Sequence, residues 1–188
     1  MKVRVVPYDP GWPRQFARIA SSLTCALDPI DHSIEHVGST SVPGLAAKPI
    51  LDIDVIVARH DVDAAIAALG ELGYESRGDL GVPGRYSLQA PDHEPRRNVY
   101  VCEEGCLSVR NHLATREVLR NNLDLRDEYA AVKLDLASRE FDSVDDYVAG
   151  KSAVLQRILA EAGLGEAELT TILAVNTHQD GGSGADSR

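Results

Sequence analysis

At 188 residues, 44% apolar and 26% charged, the chain has the composition of an ordinary globular protein, with length enough for one core domain and a helical appendage. No apolar run approaches the roughly 20 residues a membrane helix needs, and the start "MKVRVVPYDPGWPRQF" lacks a signal-peptide apolar segment, so a cytoplasmic location with no membrane partner is expected. The formal net charge of −10 opposes binding to a nucleic-acid backbone, and leaves room for a small anionic ligand only where a metal or a local basic cluster receives it.

In chain order, "VRVVPY" reads as a short strand, and "DPGWPRQFARIASSLTCAL" as a helix from about Pro13 to Leu27 with Asp9 as its N-cap. Phe16, Ile19, Ala20 and Leu23 fall at helical spacing on one face. "SIEHVG" reads as a strand ending at Gly38, "VPGLAA" as a turn or short helix, and "PILDIDVIV" as the most strand-like segment of the chain. "DVDAAIAALGELG" predicts an amphipathic helix that stops at Gly73. Between Tyr74 and Val101, "GRYSLQ" and "RNVYVC" are strand candidates separated by the polar loop "APDHEPR". From Leu107 onward the periodicity is helical in three pieces, with Asp124 and Ser143 as caps between them. The Gly/Ser/Asp-rich tail, residues 176–188, is expected to be disordered. The order implies an α/β (α+β) core over residues 1–105 with a mixed sheet, then a helical subdomain over residues 106–175.

The cysteines, Cys25, Cys102 and Cys106, are too few and scattered for a disulfide framework, and reduced thiols are expected. Cys102 and Cys106 have the look of half a zinc site, but no second pair at ligand spacing follows.

The strand "ILDIDVIV" poses the main question, because it carries Asp52 and Asp54 among isoleucines and valines. Strand alternation puts Leu51, Ile53, Val55 and Val57 on one face and Ile50, Asp52, Asp54 and Ile56 on the other. The two acids then sit about 6.5 to 7 Å apart at Cα, close enough for flexible carboxylates to converge on one cation. Two charges about 4 Å apart repel by about 4 kcal/mol at an effective dielectric near 20, so a sheltered pair needs a divalent cation, a basic partner such as Lys48 or a shared proton; a solvated pair needs none.

Ahead of the acids, Gly38 and Ser39 end the previous strand, and a Gly-Ser turn offers backbone N–H groups and a hydroxyl to a phosphate. It is not a Walker A loop, since Gly44 is followed by Leu45 and Lys48 by Pro49. Gly-Ser, twelve residues, then Asp-x-Asp in a β-run resembles the signature of the nucleotidyltransferase superfamily. More closely, "VPYDPGWPRQF", "EHVGSTSVPGLAAKPILDI", "RNHLATREVLR", "YAAVKLDLA" and "YVAGKSAVL" resemble in order the segments of the GrpB (UPF0157) family, over about residues 3 to 160. The resemblance implies a polymerase-β-like nucleotidyltransferase core and a family some of whose members are fused to dephospho-coenzyme A kinase. It implies further that Asp52 and Asp54 are catalytic and bind Mg²⁺ (or Mn²⁺), and that Gly38, Ser39, Thr40 and Ser41 hold the phosphates of an NTP substrate. Lys48 at the mouth of the strand reads either as a phosphate contact or as a salt-bridge partner of Glu35 or Asp52.

One departure matters. Superfamily members commonly have a third acid on a later strand, and the equivalent strand here, "RNVYVC", has none; GrpB relatives often read His-x-His there, where this chain has Asn98 and Tyr100. Asn98 can orient a nucleophile but cannot act as a general base. Glu94, Glu103 or His93 could substitute, the acceptor could bring its own anionic nucleophile, or the protein could bind nucleotide without turnover. In the helical part Arg110, His112, Arg116 and Arg120 follow one another, Arg116 and Arg120 as an i, i+4 pair that reads either as an anion-holding face or as a solvated one. Lys133 and Lys151 each stand four residues after a tyrosine, and the resemblance makes them phosphate contacts. His36, beside Gly38, reads as a hydrogen-bonded core residue. The expected function is Mg²⁺-dependent transfer of a nucleotidyl group from an NTP to a small-molecule acceptor; the alternative is a nucleotide- or metabolite-binding module of the same fold.

Overall fold

The computed structural model describes residues 4–138, 144–163, 165, 168 and 170–172. Its frame is a five-stranded mixed sheet in which β1 (His32–Val37), β2 (Leu51–Val57), β3 (Glu75–Ser76), β4 (Arg85–Gln89) and β5 (Arg97–Glu103) take the order β1-β2-β5-β4-β3. β2 and β5 run parallel at the centre, and the other pairings are antiparallel. A parallel pair needs a crossover, and the connection from β2 to β5 contains α2 (Val62–Gly70) along with β3 and β4.

The two faces of the sheet differ in chemistry. Leu51, Ile53, Val55, Val57, Val99 and Val101 are all buried in one apolar cluster with Trp12, Leu23 and Leu27 of α1 (Trp12–Leu27) and Val62, Ala65 and Leu69 of α2. Residues paired across a ladder share a face, so the opposite face carries Asp52 and Asp54 of β2, Asn98 and Tyr100 of β5, Ser87 of β4 and Glu35 of β1. That polar face meets α3 (Leu107–Asn121), and α4 (Leu123–Ala137) and α5 (Val144–Glu161) pack against α3 and each other. A second apolar cluster joins Val42 and Leu45, just after the Gly-Ser turn, to Leu119, Leu125, Tyr129, Val154 and Ile158 of those helices.

Several local expectations are corrected. From Arg4 on, where the described residues begin, "VRVVPY" is not a strand: Val6 makes an isolated bridge to Ala47, with bonds of 2.9 and 3.0 Å. The next bonded pair of such a ladder would use Pro49, which has no N–H to donate. Asp9 does not cap α1. Its carboxylate accepts from the Gly11 N–H at 2.7 Å and shapes the preceding turn, while Gly11 occupies the cap position and Pro13 stands in the first turn. The cap of α4 is Asn122, whose side chain accepts from the Leu125 N–H at 3.1 Å; Asp124 lies in the first turn, where its charge complements the helix N-terminus. α2 proper ends at Gly70, and its closing turn ends at Gly73 (φ +85°) with the paired bonds of a Schellman motif, Tyr74 N–H to Leu69 O and Gly73 N–H to Gly70 O. Ser143 and the tail from Asn176 lie outside the described residues.

Candidate active site

The acids of β2 stand in different surroundings. Asp52 is partly buried and accepts a hydrogen bond from Asn98 Nδ2 at 2.8 Å, its direct neighbour on β5. Asp54 is 0% exposed. Its Oδ2 lies 2.7 Å from Nδ1 of His112 on α3, and its Oδ1 is buried with no hydrogen-bond partner among the described residues. Burial by itself pulls the His112 imidazole down. The charge and hydrogen bond of Asp54, with a smaller contribution from Asp52, outweigh burial and the opposing Arg85 charge, and hold its pKa above the ordinary histidine value.

The Gly-Ser turn lies against the acids. Gly38 has φ +68° and ψ −173°, a region essentially restricted to glycine, and a Cβ placed there would stand 2.1 Å from Asp52 Oδ2. Ser39–Ser41 then form one 3-10 turn. Lys133 of α4, 3% exposed, donates from Nζ to Ser39 Oγ at 3.0 Å and sits 4.4 Å above the Tyr129 ring. The Ser41 hydroxyl donates to Gly38 O at 2.6 Å, and Thr40 is bound between His36 and Ile50 O, so these two hydroxyls hold the turn together.

The basic residues expected near the site have separate fates. Arg116 reaches Glu35 at 2.7 Å and the His36 carbonyl at 2.8 Å, and Arg120 donates twice to Ser41 O at 2.8 and 3.2 Å. The pair ties α3 to β1 and to the Gly-Ser turn, with Arg116 largely buried and Arg120 still exposed. Arg110 is exposed and pairs with Glu168. Lys48 is partly buried three residues before β2, and the side chain of Lys151 lies outside the described ones. Of the substitutes for a third acid, His93 and Glu94 are exposed in the loop before β5, and Glu103 is at the end of β5, where its carboxylate accepts from the Tyr86 hydroxyl at 3.4 Å. A cavity of about 570 Å³ opens beside His112, and Glu103, Tyr86, Cys106 and Asn111 are in its lining.

His36 is 7% exposed, stacked on Phe16 at 4.8 Å with Nε2 3.0 Å from Thr40 Oγ1. Burial first, then the Arg120 and Arg116 charges, push its pKa from 6.5 to about 4. An unfolded chain protonates this histidine at about 6.5 while the folded one resists, so the unfolded state binds more protons between those values and stability falls as pH drops through them. The shift corresponds to about 3 kcal/mol, lost progressively from pH 6.5 down to about 4. Urea unfolding at pH 7.5 and 4.5 is expected to show this drop, and His36→Asn to flatten it.

A divalent cation fits the donor set. Hard cations such as Mg²⁺ take carboxylate oxygens and commonly use one or two protein carboxylates, completing their shell with water and substrate phosphate. Asp52 and Asp54 present such oxygens on one face of one strand, and the unpartnered, buried Asp54 Oδ1 is the atom whose charge most needs a counterpart. Among the described residues no group of three or more His, Cys, Asp or Glu side chains forms a ready cage, so any cation here must draw the rest of its shell from water or ligand.

The sequence reading singled out His112 within its helix but did not pair it with Asp54. Nothing local in the sequence signalled that pairing: it follows from Arg116, four residues on, binding Glu35, which stands opposite Asp54 in the β1–β2 register.

This assembly has relatives. The GrpB protein family model matches residues 2–161. A UPF0157 protein of Halalkalibacterium halodurans is 36% identical over 164 residues, covering 85% of this chain and 82% of that protein. A dephospho-CoA kinase of Mycolicibacterium paratuberculosis is 31% identical over 175 residues; the match covers 79% of this chain and only 43% of that longer protein. The crystal structure of the conserved protein GrpB from Enterococcus faecalis superposes with a TM-score of 0.74 at 34% identity, covering 90% of this chain and 99% of that one. The fold also matches that of Cid1 in complex with its short product ApU, with a TM-score of 0.52 at 16% identity over 72% of this chain and 43% of that one. The mixed sheet is thus of the polymerase-β-like nucleotidyltransferase kind, and the chain belongs to the GrpB (UPF0157) family.

Proposed function

We propose that the chain is a Mg²⁺-dependent nucleotidyltransferase that moves a nucleotidyl group from an NTP to a small-molecule acceptor. The observation that supports this best is the contact between turn and acid: Gly38 lies so close to Asp52 that even a methyl group would collide with the carboxylate. A phosphate held at the turn would therefore lie beside the carboxylates. Mg²⁺ (or Mn²⁺) held by Asp52 and Asp54 supplies charge stabilisation to an in-line displacement at the α-phosphorus. Ser39 Oγ and the backbone N–H groups of the turn take the outer phosphate oxygens, and Lys133, fixed by Ser39 and the Tyr129 ring, neutralises their charge. Lys48, Arg110 and Lys151 are the further basic candidates for the phosphates. His112 holds Asp54 in one orientation, and the acceptor enters through the cavity that His112 lines. Asn98 stands where a third acid would accept a proton, so an acceptor whose nucleophile is already anionic, a carboxylate or phosphate, fits this site.

Calorimetry with ATP, GTP, CTP and UTP, with and without Mg²⁺, followed by pyrophosphate release over an acceptor panel, tests the proposal. Metal-dependent binding of at least one NTP and release abolished by EDTA are expected. Lys133→Met, which keeps the apolar stem and removes the charge, should weaken NTP binding about tenfold, or about 1.4 kcal/mol. Unchanged affinity would remove Lys133 from the site.

The second reading, a nucleotide-binding module without turnover, is favoured by Asn98 in the third position. Metal-dependent NTP binding with no pyrophosphate release across the panel would select it. The acidic balance of the chain speaks against a nucleic-acid acceptor in either case.

A further inference from the structure

Arg85 is left unused by the proposed reaction, and nothing in the fold accounts for its charge. It opens β4, paired with Cys102 of β5, which is itself paired with Ile56 of β2, so its side chain leaves the sheet on the same face as Asp52 and Asp54. Only 2% of the residue is exposed. Its guanidinium lies 4.5 Å over the Tyr100 ring, and Tyr100 stands opposite Asp54 in the β2–β5 register, with its ring 6.4 Å from that of His112. Among the described residues the buried Nε has no hydrogen-bond partner, and no carboxylate stands within ion-pair distance of the guanidinium. A guanidinium taken out of water with its fork unfilled is costly, and a ring face offsets that cost only in part. Arg97 shows what a structural arginine of this chain looks like: its side chain, 6% exposed, makes two bonds to Asp92 at 2.6 and 3.0 Å, and its Nε donates to the Tyr74 hydroxyl at 3.0 Å.

The place of Arg85 assigns this charge to one side of the reaction. In the order β1-β2-β5-β4-β3 the Gly-Ser turn follows β1, while Arg85 lies on β4, on the far side of β5 from the acids. In-line displacement at the α-phosphorus puts the leaving pyrophosphate and the attacking group on opposite sides, so with the outer phosphates at the turn the acceptor comes from the β5–β4 side. There the cavity of about 570 Å³ is walled by His112 and by both chain neighbours of Arg85, Gly84 and Tyr86. Its other charges are Arg59 and Asp79, both exposed, and Glu103, which is taken up by Arg59 and the Tyr86 hydroxyl. We propose that Arg85 is the specificity-determining cation of the acceptor side: it receives an anionic group of the acceptor, a carboxylate or a phosphate, in the cavity beside His112, and so excludes neutral and cationic acceptors. The Tyr100 ring covers one face of the guanidinium and fixes its plane, which leaves the N–H edge for two parallel bonds to such a group. The role as acceptor site rests on the nucleotidyl-transfer reading; the binding of an anion rests on Arg85 alone.

The test uses the full chain without nucleotide. Acetate and inorganic phosphate are titrated separately while the Arg85 Nε–H resonance, assigned by its loss in Arg85→Lys, is followed by ¹H–¹⁵N NMR. At least one of the two is expected to shift it saturably where chloride at equal ionic strength does not; a response to acetate alone marks a carboxylate site, and to phosphate alone a phosphate site. Arg85→Met keeps the apolar stem and should weaken that binding, read at the Gly84 and Tyr86 amides, at least tenfold. Its urea midpoint should stay level or rise, because the charge removed had no partner. In turnover with an anionic acceptor, Arg85→Met should raise the acceptor KM at least tenfold and leave the NTP Kd within about twofold. Absence of Mg²⁺-dependent NTP binding would sink the transferase reading, while the anion titration still decides the site. An Nε–H resonance that neither acetate nor phosphate moves, or an Arg85→Met chain that loses stability yet binds the anion as before, would overturn the proposal.

Discussion

Asp52→Asn and Asp54→Asn are each expected to leave a folded chain whose nucleotidyl transfer falls by at least a thousandfold, about 4 kcal/mol in the activation barrier. The two amides are nearly isosteric with the acids they replace, and each can keep one hydrogen bond: from Asn98 at position 52, from His112 at position 54. What they lose is the negative charge that a divalent cation and its triphosphate require. The substitutions should differ in a second readout. At position 54 the imidazole of His112 loses the carboxylate that holds its pKa up, so NMR titration should show that pKa falling, whereas Asp52→Asn removes only a lesser contribution and should move it less. Full turnover in either variant would sink the enzymatic reading. An unmoved His112 titration in Asp54→Asn would mean that the 2.7 Å contact is not made in solution.

Gly38→Ala should be the most damaging conservative change in the site. The backbone at φ +68°, ψ −173° costs a residue with a Cβ about 1 to 3 kcal/mol. The added methyl would also stand 2.1, 2.9 and 3.0 Å from Oδ2, Cγ and Cβ of Asp52. The carboxylate end can swing away, but the contact at Cβ cannot be relieved without moving β2. A loss of at least about 3 kcal/mol in urea unfolding is expected, with weaker metal and NTP binding in whatever folded protein remains. A change below about 0.5 kcal/mol would show that turn and strand are further apart than described.

Much of this site was legible in the sequence. The alternation in "LDIDVIV" put both acids on the face opposite Leu51, Ile53, Val55 and Val57, and packing divides the strand in that way, with the apolar set against α1 and α2 and the acids in register with Asn98 and Tyr100. That prediction needs only the two-residue period of a strand. The Gly-Ser turn, the amphipathic helices and the strand "RNVYVC" were likewise local, each fixed by a few consecutive residues. The local expectations that failed were the caps and the first strand. Asp9 and Asp124 have good capping chemistry, but Gly11 and Asn122 took the positions, because a helix start is set by where the chain enters the fold as much as by the side chain available.

Partner choice across the sheet was not legible. Arg116 and Arg120 read as an anion-holding or solvated face, and the sequence did not show that they bind Glu35, the His36 carbonyl and Ser41 O. His112 was noted, yet its bond to Asp54 joins residues 58 apart in sequence, and Lys133 reaches Ser39 over 94. By itself the sequence determined the family, the polar face of β2 and the residue types available for phosphate and metal. Only the tertiary structure decided which base meets which acid, because that follows from strand register and from how α3 docks on the polar face and α4 on the Gly-Ser turn, long-range contacts that no local periodicity encodes.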